Sequence, residues 1–198
     1  KISKLKNMKY ILFAMILASL VGCSKKNYFT DYTHLVDREV NNDIFLKKGT
    51  YNITAPLIFP NGANVIGDST HLIISKNHPT AISIVGSKNI NIIGLTIEYK
   101  NKPNSIPKNI LQVFNTYTAI DISASNNITL ESVDIYDLPY RAIRIEGGRN
   151  VVIKNCLVDN VGVPISDKAV YSVDGIFVGG KMRTEDISIL NCTFSNFG

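Results

Sequence analysis

The side chains in this sequence best suited to chemistry on a charged polymer fall between residues 121 and 177. Asp174 opens a short apolar run in "YSVDGIFVGG", Tyr171 to Gly180. A carboxyl in such a place can protonate a leaving oxygen or activate a water. Arg141 and Arg144 are planar forks suited to holding carboxylates. Tyr140, Tyr171 and Phe177 offer flat faces on which sugar rings can stack. Asp121 and Arg144 read either as an ion pair across neighbouring strands or as a pair that binds a charged sugar. Together these types suit binding of a polymer with carboxylates on sugar rings, such as a uronate-containing polysaccharide. Elimination is the rival chemistry. There Arg141, Arg144 or Lys168 would be the base, with Asp121 and Asp167 holding a cation such as Ca²⁺. No resident cofactor or metal is otherwise expected. His34, His71 and His78 are scattered and no CxxC occurs, so a zinc-type site is not indicated.

What would position these residues is an internal repeat. Four segments align: "TAISIVGSKNINIIGLTIE" from Thr80, "TAIDISASNNITLESVDIY" from Thr118, "RAIRIEGGRNVVIKNCLVD" from Arg141, and "DGIFVGGKMRTEDISILNCTFS" from Asp174. Each contains three short runs of alternating apolar and polar residues, the pattern of half-buried strands. The first carries Ile82, Ile120, Ile143 and Ile176; the second Ile90, Ile128, Val151 and Ile187; the third Ile97, Ile135, Val158 and Phe194. The second-to-third spacing is 7 residues in all four copies, and the plain turn is 23 residues long. Such turns can stack on themselves at strand spacing, about 4.8 Å. The expectation is an all-β parallel solenoid with three strands per turn and about five turns.

The corners agree. Asn89, Asn127, Asn150 and Asp186 recur at one corner, and Gly94, Ser132, Asn155 and Asn191 at the next. These types tolerate turn geometry, and stacked asparagines can hydrogen-bond along the axis. Cys156 and Cys192 fall on one inward column behind Leu95 and Val133. They read as small core residues, although stacking also brings their α-carbons within disulfide range. Alternation puts Ser83, Asp121, Arg144 and Phe177 in one outward column, with Ile176 and Val178 inward. Thr80, Thr118, Arg141 and Asp174 stand at the strand starts. The third-to-first connection grows to 23 residues before Ile120 and 18 before Ile176, against 8 in the plain turn. Three extra residues near Lys181 to Arg183 leave the other edge. Loops on both sides of one sheet face make a groove, where binding residues concentrate.

Upstream, "KKGTYNI" is expected as the opening strand, with "NVIG" and "HLIIS" as second and third strands of a first turn. The segment "FLKKGTYNI…LIFPNGANVIG", followed by the repeated turns, resembles the pectin-lyase-like right-handed β-helix superfamily over residues 43–198. The resemblance implies the fold and leaves the reaction open among polysaccharide hydrolases, lyases, epimerases and non-catalytic surface proteins that bind glycans or partner cells. "SVDGI", Ser172 to Ile176, is similar to the "NTDGI" of polygalacturonases, which implies Asp174 as one active-site acid. The other two acids of that family would fall after Gly198. The register also places the next first strand after Gly198, so the chain is expected to be the N-terminal part of a longer β-helix.

The ends complete the expectations. "YILFAMILASLVGC" after Met8 and Lys9 has the basic start, short apolar core and small-residue exit of a secretion signal. "LVGC", Leu20 to Cys23, resembles a bacterial lipobox, implying cleavage before Cys23 and lipid on that residue. Residues 1–22, comprising read-in and signal, would be removed; 23–42 would be a polar tether and 43–198 the domain. The full chain has 21 basic and 16 acidic residues, but residues 1–22 carry four lysines and no acid, leaving a net charge of +1. Nucleic acid is therefore not an expected partner. The expectation is a monomer, lipid-anchored at the bacterial cell envelope.

Overall fold

Isoleucine and valine alternating with polar residues favour strands that bury one face, and tight corners between them need left-handed backbone. The computed structural model describes residues 32–74, 80–100, 102, 117–162 and 174–197. In chain order its strands are β1 (Val36–Val40), β2 (Asp43–Leu46), β3 (Gly49–Ile53), β4 (Asn64–Ile74), β5 (Thr80–Val85) and β6 (Lys88–Tyr99). Then come β7 (Thr118–Ser123), β8 (Asn126–Glu131), β9 (Asp134–Tyr136), β10 (Arg141–Glu146) and β11 (Arg149–Lys154). The last are β12 (Leu157–Asp159), β13 (Asp174–Val178), β14 (Glu185–Leu190) and β15 (Thr193–Ser195).

The first strands of successive turns form a four-stranded parallel sheet, in the order β13-β10-β7-β5. The second and third strands form the other two faces, joined in one eleven-stranded sheet. β6 serves both of those faces, pairing with β8 through Lys88–Ile93 and with β9 through Thr96–Glu98. The result is a three-sided parallel β-solenoid. Its interior holds the expected columns: Ile82, Ile120 and Ile143, then Ile90, Ile128 and Val151, then Ile97, Ile135 and Val158, none more than 1% exposed. Burial of each such side chain contributes roughly 1.5–3 kcal/mol. Cys156 lies in this interior as a free thiol, and Cys192, one turn on, is also free.

The corners are built as their residue types require. Asn89, Asn127, Asn150 and Asp186 all have positive φ, as do Gly94, Ser132, Asn155 and Asn191. Asn127 Nδ2 donates to Asn89 Oδ1 at 2.8 Å and Asn150 Nδ2 to Asn127 Oδ1 at 2.9 Å, an amide ladder along the axis. A third corner of the same kind, at Asp137, Asn160 and Asn196, also has positive φ and was not singled out from the sequence. Ala81, Ala119 and Ala142 are as buried as the isoleucines after them. Strict alternation therefore breaks at the first residues of the first strands.

The N-terminal end differs from the expected arrangement. "GTYNI" does not open the first turn: Gly49–Ile53 stacks in parallel against Thr70–Ile74, as the third strand of an earlier turn. β2 is the second strand of that turn, with Asp43 opposite Asn64. Ordered structure also reaches back into the stretch expected as tether. A 3-10 turn at Thr33–Leu35 leads into β1, which pairs antiparallel with β2, and Leu35 is fully buried. β1, "VDREV", carries too few apolar residues to announce itself. It covers the otherwise open edge of β2 with charged side chains, a common way to blunt a sheet edge. At the other end, Val178 pairs with Ile145 in the inward column but is 46% exposed, and Phe194 is 41% exposed. Among the described residues, one neighbouring turn packs against them.

Candidate functional site

The first sheet aligns the expected residues in the expected register. Arg141 stands between Thr118 and Asp174, and Arg144 between Asp121 and Phe177. Parallel pairing without slippage places their side chains side by side on one outer face.

Two clusters result. In the first, Arg141 Nε donates to Asp174 Oδ2 at 3.1 Å, and Nη2 donates to Tyr140 Oη at 3.1 Å. The same guanidinium lies over two rings, with Cζ 4.5 Å from the Tyr140 centroid and 4.2 Å from that of Phe177. Both members of the ion pair are largely covered, their side chains 15% and 24% exposed. Asp174 thus does more than start a strand: it pairs with an arginine one turn below.

In the second cluster, Arg144 Nη1 donates to both oxygens of Asp121, at 3.3 and 3.4 Å, while Nη2 makes a short contact with Glu146 Oε2. The expected Asp121–Arg144 pair is therefore present, with a second carboxylate added. Ser123 Oγ donates to Asp121 Oδ1 at 3.3 Å. The Lys181 backbone N–H donates to Glu146 Oε1 at 2.9 Å. That N–H, with the Arg144 charge adding to it, holds the Glu146 carboxyl below its usual range despite opposing desolvation. Gly180 makes this approach possible: a Cβ there would lie 2.4 Å from the Glu146 carboxyl carbon, and its φ is +115°. Thr184 Oγ1 accepts the Gly147 N–H at 2.9 Å, fixing the 181–184 bend to the end of β10.

Glu146 was missed in the sequence. Alternation from Arg144 does point it outward, but its partner is a backbone N–H presented by a bend, which no side-chain pattern announces. Lys168, Tyr171 and Asp167 lie outside the described residues, as do most of the two long insertions and the lipid-acceptor candidate Cys23. What is described is the floor of the expected groove and the 181–184 bend at one edge.

Both Asp121 oxygens accept from Arg144, and among the described residues no cluster of three or more His, Cys, Asp or Glu side chains is placed to hold a metal ion. A concavity of about 400 Å³ lies elsewhere, beside β1 and β2, lined in part by Arg38, Phe45, Lys48 and Asp68. Its cations are already engaged: Arg38 lies 4.2 Å over Phe45, and Lys48 pairs with Asp68 at 2.8 Å. The charged and aromatic face of the first sheet is the stronger site.

The family profile "Right handed beta helix region" matches residues 59–198. No curated protein matches the chain. Among solved structures, a protein from Parabacteroides merdae carrying a provisional glycosyl hydrolase assignment is similar at 12% identity. The similarity covers 77% of this chain and 82% of that one, with a TM-score of 0.46.

Proposed function

Since the chain belongs to the right-handed β-helix family, we propose that it is carbohydrate-active and that the outer face of its first sheet binds and cleaves an acidic, uronate-containing polysaccharide. The observation that carries this reading is the joining of Arg141, Asp174, Tyr140 and Phe177 into one contact cluster. Planar forks recognise carboxylates, rings stack on sugars, and a carboxyl beside them can transfer a proton. Glycoside hydrolysis is the favoured class, with Asp174 as the acting carboxyl. Such a reaction needs a second carboxyl across the scissile bond. Asp121 and Glu146 are the other acids on the described floor, and both are bound to Arg144. Elimination has less support, because an arginine ion-paired to Asp174 is a poor base. Export, anchoring through Cys23 and action as a monomer at the cell envelope belong to the same reading.

One observation favours a second reading, glycan binding without cleavage: Asp174 is ion-paired to Arg141. The test is to incubate the protein with polygalacturonate, alginate and glycosaminoglycans. New reducing ends without the ultraviolet absorbance of an unsaturated uronate indicate hydrolysis; with it, elimination. Asp174→Asn is expected to abolish hydrolysis. Activity undiminished in that variant removes Asp174 from the reaction. Binding with no new reducing ends on any of these substrates establishes the second reading for them.

A further inference from the structure

The two arginines on the first sheet differ in what they have left to give. Arg144 is doubly neutralised: one end of its fork is taken by Asp121 and the other by Glu146. Among the described residues Arg141 is neutralised by Asp174 alone, through Nε, and spends one further N–H on Tyr140 Oη. A guanidinium has five N–H donors, so three on Arg141 are not used in these contacts. Its aromatic contacts use the flat of the group rather than its N–H edge. They also hold the fork in place, so little side-chain freedom remains to be lost when a ligand docks. Arg144 shows on the same sheet how one guanidinium accommodates two carboxylates.

We propose that Arg141 is the specificity-determining residue of this face: as Glu146 is the second carboxylate on Arg144, the carboxylate of a bound uronate is the second on Arg141. The ligand's acid group docks on the unused N–H edge while Asp174 keeps Nε, so the sugar is brought up against Asp174. Arg144 does not take part in recognition and serves to order Asp121 and Glu146. This rests on the proposed binding of an acidic glycan and adds the residue that reads its charge. A methyl-esterified sugar has no anion for Arg141 and is bound more weakly.

The experiment is calorimetric titration of the full chain with oligogalacturonate and oligomeric alginate, each as the free acid and as the methyl ester. The wild type is expected to prefer acid over ester by roughly tenfold or more, the scale of one good charge-assisted contact. Arg141→Gln is expected to bring the ratio near one while ester binding persists. Arg141→Lys keeps the charge but lacks the fork, and is expected to retain only part of the preference. It also serves as the better-folded control if the glutamine variant is unstable. An acid preference that survives in folded Arg141→Gln or is undiminished in Arg141→Lys, or a wild type indifferent to esterification, overturns the assignment and leaves glycan binding standing. Binding of neither form of either oligomer overturns both for these uronates.

Discussion

At the scale of single residues, the Arg144 cluster makes the most direct claim. Glu146 is held ionised chiefly by the Lys181 N–H, so its folded carboxyl releases its proton more readily than an unfolded one. The sign follows. Its contribution to stability is whole above the ordinary glutamate value of 4.5 and is lost as pH falls below it through the depressed folded value. Urea denaturation of wild type and Glu146→Gln should therefore show a gap at pH 7 that narrows on acidification; a gap independent of pH contradicts the assignment. The thiols allow a second test. Desolvation pushes Cys156 up to about 11, whereas Cys192 is half-buried. Alkylation near neutral pH followed by peptide mapping should modify Cys192 before Cys156, whose burial disfavours the reactive thiolate. The Asp121–Arg144 pair was legible in the sequence because both residues fall in one alternating column. The Arg141–Asp174 contact was only half legible: the shared register was visible, but not that the guanidinium would lie over Tyr140 and Phe177.

The strands and corners set where those residues stand, and two buried points test that framework. Ser125 is fully buried; its Oγ accepts the Ser87 N–H at 3.1 Å and donates toward the Ser123 and Ile84 carbonyls at 2.8 and 3.0 Å. Ser125→Ala leaves the Ser87 N–H without that acceptor and should lower stability by about 1–3 kcal/mol in denaturant titration. At Gly148 an added Cβ would lie 2.7 Å from Ile145 Cγ2 and 3.1 Å from Val151 Cγ2. Gly148→Ala should cost about 1–3 kcal/mol by overpacking, and a neutral outcome would mean that the turn yields. Eight corner residues could be read in advance because Asn, Asp, Gly and Ser at fixed offsets have one economical explanation. β1 and β2 could not, since "VDREV" and "DIFL" lie outside the repeat. β1 owes its place to an open sheet edge, a tertiary cause.

For the whole molecule, the repeat made the solenoid legible because a 23-residue turn buries its apolar columns only by stacking on its neighbours. What it does is less legible, since the reaction depends on a handful of outward side chains and on the loops around them. The central claim is a location: a polysaccharide lies across β7, β10 and β13. Its most direct test is a crystal structure of the protein with an oligouronate. The prediction is electron density for sugars along that face, with a uronate carboxylate on the Arg141 fork and a ring against Phe177. Density at another surface, such as the concavity beside β1 and β2, with the Arg141–Asp174 cluster bare, would contradict it.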